Sequence, residues 1–105
     1  MKDLYFAGTS LDEIKAFPVD AKREAGFQLD RVQHDLEPDN WKPMRTVGAG
    51  VREIRIRCAD GAYRVMYTAK VRDTVYVLHA FQKKTQKTPQ RNIELAKKRL
   101  KEIGG

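Results

Sequence analysis

Asp60-Gly61 lies between two runs that alternate apolar with cationic or polar residues, VREIRIRC before it and AYRVMY after it. A two-residue turn with positive φ at both central positions suits Asp-Gly, so the pattern predicts an antiparallel hairpin over Val51–Tyr67. Closing it on Asp60-Gly61 sets Cys58 opposite Tyr63, Arg57 opposite Arg64 and Ile56 opposite Val65. Side chains alternate faces along a strand, so Ile54, Ile56, Cys58, Tyr63, Val65 and Tyr67 form a core face. Arg55, Arg57, Arg64 and Met66 share the other. Arginines directly opposed across a ladder repel by roughly half a kcal/mol, and an anion placed between them reverses the sign. Glu53, on the same face, is expected to neutralise part of Arg55.

A second strand is predicted over Thr74–Phe81, apolar on both faces as a central strand covered on both sides would be. Val77, His79 and Phe81 are expected on one side of it. The strand runs into a loop carrying Lys83, Lys84 and Lys87 with no acid among them. Thr88-Pro89 then reads as a helix start, threonine capping and proline in the first turn. Ile93, Ala96, Leu100 and Ile103 form that helix's inner stripe, and Gly104 ends it. A rigid sheet edge thus presents lysines to a phosphate, which suggests a small RNA-handling domain.

The first forty residues are of a different kind. Leu4 and Phe6 alternate with polar neighbours as in a short strand. Ser10-Leu11-Asp12-Glu13 has the form of a capping box opening a short helix with Leu11, Ile14 and Phe17 on one face. Pro18 interrupts it. A longer helix is expected to run to about Leu36 with Ala25, Leu29, Val32 and Leu36 inward. Glu37–Gly50, rich in Pro, Asn and Gly, reads as a long loop anchored by Trp41.

The chain has 105 residues, one domain's worth, with 41% hydrophobic and 33% charged residues, which excludes a disordered or membrane-embedded class. No run approaches the roughly 18 apolar residues of a membrane span, and MKDLYFAG has no signal-peptide pattern, so the cytoplasm is the expected compartment. The net charge of +7 is segregated: residues 1–40 balance at −4, residues 41–81 at +5 and residues 82–105 at +6. Segregation of this kind turns one part of a fold toward a polyanion. Cys58 is the sole cysteine, so neither an internal disulfide nor a cysteine-based zinc site can be built.

RNA cleavage requires a proton taken from the ribose 2′-OH, charge stabilised on the in-line phosphorane, and a proton given to the departing 5′-oxygen. With only His34 and His79, and His34 late in a helix, a paired-histidine mechanism is not expected. Arginines and lysines on the hairpin face supply the electrostatic part. His79 is either the titrating group or an ordinary satisfied core histidine. Tyr63 and Tyr67 fall on the core face and are not expected to stack on bases. There is no Gly-rich phosphate loop, metal-spaced cluster or Ser-His-Asp arrangement. Lys97, Lys98 and Lys101 read as the solvated face of the last helix rather than a DNA-reading one.

GVREIRIRCADGAYRVMY followed by VYVLHAFQKKTQKTP and IELAKKRLKEI resembles the RelE/HigB superfamily of type II toxin–antitoxin toxins, in its phage-derived HigB-like branch. The resemblance covers nearly the whole chain, residues 1–105 as one toxin domain. It implies an α+β fold, with N-terminal helices packed on a small antiparallel-dominated twisted sheet and a C-terminal helix. It further implies a metal-independent, cofactor-free endoribonuclease that cleaves mRNA on the 70S ribosome and is held inactive by a cognate helix-turn-helix antitoxin. By the same resemblance Arg64 stabilises transition-state charge. Arg55 and Arg57 match the family's basic strand, while Lys83 and Lys84 match its basic pair, with Lys84 at the catalytic position. The implied catalytic set is Arg64, Lys84, Arg57 and His79, and the implied RNA-binding set is Arg55, Lys83 and Lys87. Thr88, Pro89 and Gln90 stand where many members carry a tyrosine, leaving His79 or a lysine for that place. A protein that kept the fold but lost cleavage would remain an antitoxin- or RNA-binding module.

Overall fold

The alternating segments pair into one five-stranded sheet in a computed structural model that describes residues 1–104. In chain order the elements are β1 (Asp3–Phe6), α1 (Ser10–Lys15), α2 (Val19–Gln33), β2 (Trp41–Pro43), β3 (Val51–Cys58), β4 (Gly61–Val71), β5 (Thr74–Lys83) and α3 (Gln90–Glu102). The sheet order is β1-β5-β4-β3-β2, antiparallel except for the parallel β1–β5 pair. This is the expected α+β architecture with a C-terminal helix.

Both faces of the sheet are covered. Ile54, Ile56, Tyr63, Val65, Tyr67 and Val77 pack against Ile14 of α1, against Phe17 in the link that follows it, and against Ala21, Ala25, Leu29 and Val32 of α2. On the opposite face Val51, Met66 and Leu78 meet Ala96 and Leu100 of α3, with Met44 and Val47 filling one side. The expected core face is therefore the one buried under α1 and α2, and Tyr63 and Tyr67 are in it.

The hairpin closes one residue earlier than the Asp-Gly signal implied. Cys58 pairs with Gly61, Ile56 with Tyr63 and Arg55 with Arg64. Ala59 and Asp60 occupy the turn, and Gly61 at φ +135° takes the backbone conformation that only glycine adopts easily. Every partner moves by two, so no side chain changes face. The two-residue turn with both central residues at positive φ lies instead between β4 and β5, at Arg72 and Asp73. Arg72 is held there by Tyr76 Oη (3.0 Å) and the Ile103 carbonyl.

β5 departs from simple alternation. Met66 pairs with His79 but Tyr67 pairs with Val77, so Leu78 is an extra residue in a bulge. Val77 consequently faces α1 and α2, while Leu78 and His79 both face α3. The shared side expected for Val77 and His79 does not exist.

Three expectations at helix ends also change. Ser10 is buried and donates to the Val77 carbonyl (3.1 Å), and Glu13 turns to β5, so no capping box forms. Thr88 makes no cap either; its hydroxyl points to Glu53. α2 ends before Leu36: Asp35 at φ +64° reverses the chain, and the Leu36 amide donates to the Arg31 carbonyl while that of Asp35 donates to Val32. This C-terminal motif leaves Leu36 exposed. The Glu37–Gly50 segment contains β2, whose Trp41 is half-buried with the Arg52 guanidinium 3.8 Å above its ring.

Gly26 sits inside α2 with nothing within 4 Å of the position a Cβ would take. Gly26→Ala is expected to stabilise the protein by about 0.5–1 kcal/mol, read as an upward shift in urea midpoint at constant m. An unchanged or lowered midpoint would mean the outer face of α2 is not free.

Candidate functional site

Three antiparallel strands bring the cationic residues to one end of the face that α3 partly covers. Arg55 stands opposite Arg64, which stands opposite Phe81; Arg57 stands opposite Ala62, which stands opposite Lys83. Arg55 and Arg57 are exposed and Lys83 is half-buried, whereas Arg64 is only 5% exposed. A guanidinium at that depth beside a second arginine needs a counter-charge. Glu53, two residues before Arg55 and fully buried, provides it.

Glu53 Oε1 lies 3.5 Å from Arg64 Nε and 3.8 Å from Lys42 Nζ, and Oε2 accepts a hydrogen bond from Thr88 Oγ1 at 3.2 Å. Arg64 Nη1 donates to the Tyr63 carbonyl at 3.0 Å. Glu53 Oε1 and Arg64 Nε are close enough to attract as charges, but neither has a hydrogen-bond partner among the described residues. Burial pushes the Arg64 guanidinium below its ordinary pKa, Glu53 pushes it up, and Arg55 and Arg57 push it down again. Lys83 is also lowered, first by burial and then by Arg64 and Lys42, against Glu53, with Arg55 adding to the depression. A lysine lowered in this way gives up its proton more readily.

Lys84 and Lys87 lie beyond β5. They line an open groove with Gln82, Thr88, Gln90 and Arg91. Lys87 also borders a second groove with Lys42, Arg45 and Thr88. The loop thus continues the cationic surface from the end of β5, where Lys83 stands in the strand next to that of Arg64, to the groove that Lys84 and Lys87 line.

His79 is not on this open surface. It is 5% exposed, stacked on Phe81 with centroids 5.2 Å apart, and held at both ring nitrogens: Nδ1 faces Glu13 Oε1 (2.9 Å) and Nε2 faces Asn92 Oδ1 (2.7 Å). Arg99 Nη1 donates to the same Glu13 oxygen and to the Leu78 carbonyl, each at 3.0 Å, and the Ala80 amide donates to Glu13 at 3.1 Å. The histidine is a satisfied core group that ties α1 and α3 to the bulged strand. Of the expected residues, the fold brings together Arg55, Arg57, Arg64 and Lys83, sets Lys84 and Lys87 in the adjoining groove, and encloses His79.

Lys42 and the anchoring role of Glu53 were not legible from the pattern. The acid inside VREIRIR was a visible signal, but the hairpin alone assigns it to Arg55. Lys42 comes from a three-residue strand with no periodicity to announce it.

The chain is an α+β protein whose exposed sheet end is lined by arginines around a buried, counter-charged arginine. More particularly, the chain belongs to the phage-derived Gp49-like family (DUF891), a type II toxin-like family whose sequence model matches residues 12–101. That match runs from α1 into α3 and includes every residue of the cationic surface. No curated protein matches the chain. Among the described residues no helix is long and apolar enough to cross a membrane.

Proposed function

We propose that this protein is the toxin of a type II toxin–antitoxin pair and acts as a metal-independent mRNA endonuclease on the translating ribosome. The observation that carries the reading is Arg64, held at the base of a surface formed by Arg55, Arg57 and Lys83. Phosphoryl transfer from the 5′-oxygen to the attacking 2′-oxygen builds negative charge on the phosphorane, and pre-positioned cations stabilise that charge more than they stabilise the ground state. Arg64 is the pre-positioned group. Arg55 and Arg57 seat the flanking phosphates, the 2′-OH proton passes to solvent water as the 2′-O–P bond forms, Lys83 protonates the departing 5′-oxygen as the P–O5′ bond breaks, and Lys84 and Lys87 follow the strand beyond. Ribosome dependence and a helix-turn-helix antitoxin come from the RelE/HigB resemblance. The cationic surface favours an inhibitor that brings acidic side chains to it.

The enclosure of His79 favours a second reading, an RNA- or antitoxin-binding module without cleavage, because His79 does not reach the cationic surface to move a proton. Inducing the wild type and Lys83→Met in cells without the antitoxin separates the two. Growth arrest with new in-frame mRNA 5′ ends, lost in Lys83→Met, is the expected result. Normal growth and intact mRNA with soluble wild-type protein would leave the binding module.

Binding has its own signature. For single-stranded RNA, Arg55→Ala/Arg57→Ala is expected to reduce the slope of log K against log salt by about 1.4, two phosphate contacts at roughly 0.7 each. An unchanged slope would remove both arginines from the interface.

A further inference from the structure

We propose that Thr88 and Glu53 are positioning residues that couple the cationic loop to Arg64: the loop threonine holds the buried carboxylate, and the carboxylate holds the arginine. Thr88 is the last residue before the proline that opens α3, in the segment that carries Lys84 and Lys87. It does not cap the helix it precedes. Its hydroxyl instead spans 35 residues of sequence to Glu53 Oε2 at 3.2 Å.

The other oxygen, Oε1, faces Arg64 Nε at 3.5 Å and Lys42 Nζ at 3.8 Å. Those two buried atoms, Glu53 Oε1 and Arg64 Nε, have no hydrogen-bond partner among the described residues. With Nη1 on the Tyr63 carbonyl, the orientation of the guanidinium depends on that carbonyl and on the electrostatic hold of Glu53. A carboxylate that is free to rotate would loosen that hold. Among the described residues, the Thr88 hydroxyl is the one uncharged side chain that hydrogen-bonds the carboxylate and fixes its rotation. Loop and arginine therefore share one anchor, and the loop lysines are in place when Arg64 is.

The proposal rests on the nuclease reading only for its kinetic arm. Thr88→Val is nearly isosteric and changes no charge, Thr88→Ser keeps the hydroxyl, and Glu53→Gln removes the negative charge at similar volume. In the free protein the Arg64 Nε–H resonance is measured by 15N NMR in all four chains. It is expected to be slowly exchanging and ordered in wild type and Thr88→Ser, and fast-exchanging in Thr88→Val and Glu53→Gln. On RNA, Thr88→Val is expected to leave Kd unchanged while kcat falls about 10²-fold, the scale of an ångström-sized misplacement of a catalytic group, with Thr88→Ser restoring it. Glu53→Gln is expected to bind RNA several-fold tighter, because a buried negative charge is gone, yet to cleave more slowly.

For Thr88→Val, a merely structural role moves Kd, kcat and thermal midpoint together, and that pattern would overturn the proposal. So would an Arg64 Nε–H signal in Thr88→Val indistinguishable from wild type. Wild-type protein that cleaves no RNA sinks the nuclease reading alone, because the resonance still decides the coupling.

Discussion

Arg64→Ala is expected to cost the fold about 3–5 kcal/mol, a large part of the roughly 5–15 kcal/mol that holds a domain together, besides removing any activity. The reason is Glu53. It is fully buried, and without Arg64 its charge is faced only by Lys42 at 3.8 Å and the Thr88 hydroxyl. The penalty comes from leaving one ion buried without its partner rather than from the net worth of the pair. The double substitution Glu53→Met/Arg64→Met removes both charges at similar volume and is therefore expected to recover most of the loss. Urea unfolding at constant m measures this directly. Should Arg64→Ala fall within about 1 kcal/mol of wild type, the buried pair described above is not what holds this corner of the sheet. The double variant is also the better inactive control, because an unfolded single variant loses toxicity for the wrong reason.

Glu13 is expected to show the second-largest effect, and its signature is pH. Burial raises its carboxyl pKa, but hydrogen bonds from His79, Arg99 and the Ala80 amide outweigh that and bring it from 4.5 to about 2. A carboxylate whose folded pKa is depressed stabilises the fold above its unfolded pKa and loses that contribution as pH falls through the folded value. The contribution is thus complete above about pH 4.5 and disappears toward about pH 2. Its size is about 2–3 kcal/mol after allowing for the side chain's partial exposure. Glu13→Gln removes the titrating group, so the difference in urea midpoint between wild type and variant should be large at pH 6 and vanish near pH 2. Parallel curves over that range would show that the Glu13–His79–Arg99 contacts do not form as described. The same variant should loosen α3 against β5, since Arg99 then loses its paired carboxylate charge and keeps only neutral acceptors such as the Leu78 carbonyl and the Thr9 hydroxyl.

How much could be read beforehand varies with the range of the interaction. Alternation over Val51–Tyr67 placed every hairpin side chain on its proper face, even though the turn sits one residue away, because moving each partner by two preserves parity. The turn itself was misread. Gly61 accommodates its positive φ beside the turn, and the two positive-φ positions went to Arg72 and Asp73, a pair without glycine in which Arg72 is held by contacts with Tyr76 and Ile103. His79 was misplaced relative to Val77 because a bulge adds a residue without leaving a trace in hydropathy.

The polar residues were the least legible. Ser10, Glu13 and Thr88 all fit local capping patterns, yet each is drawn to a partner far along the chain: Val77, His79 and Glu53. A cap contributes about 1 kcal/mol in the open, whereas a buried acceptor left unmade costs about 1–3 kcal/mol, so the distant partner wins. What the sequence by itself determined was whatever depends on the period of the chain: strand faces, helix stripes and the segregation of charge. Only the tertiary structure decided that Arg64 is counter-charged by Glu53, that Lys83 ends the strand beside it while Lys84 lines the adjoining groove, and that His79 is locked away. Ion pairing and burial depend on distances in space between residues remote in sequence, and no local period encodes them.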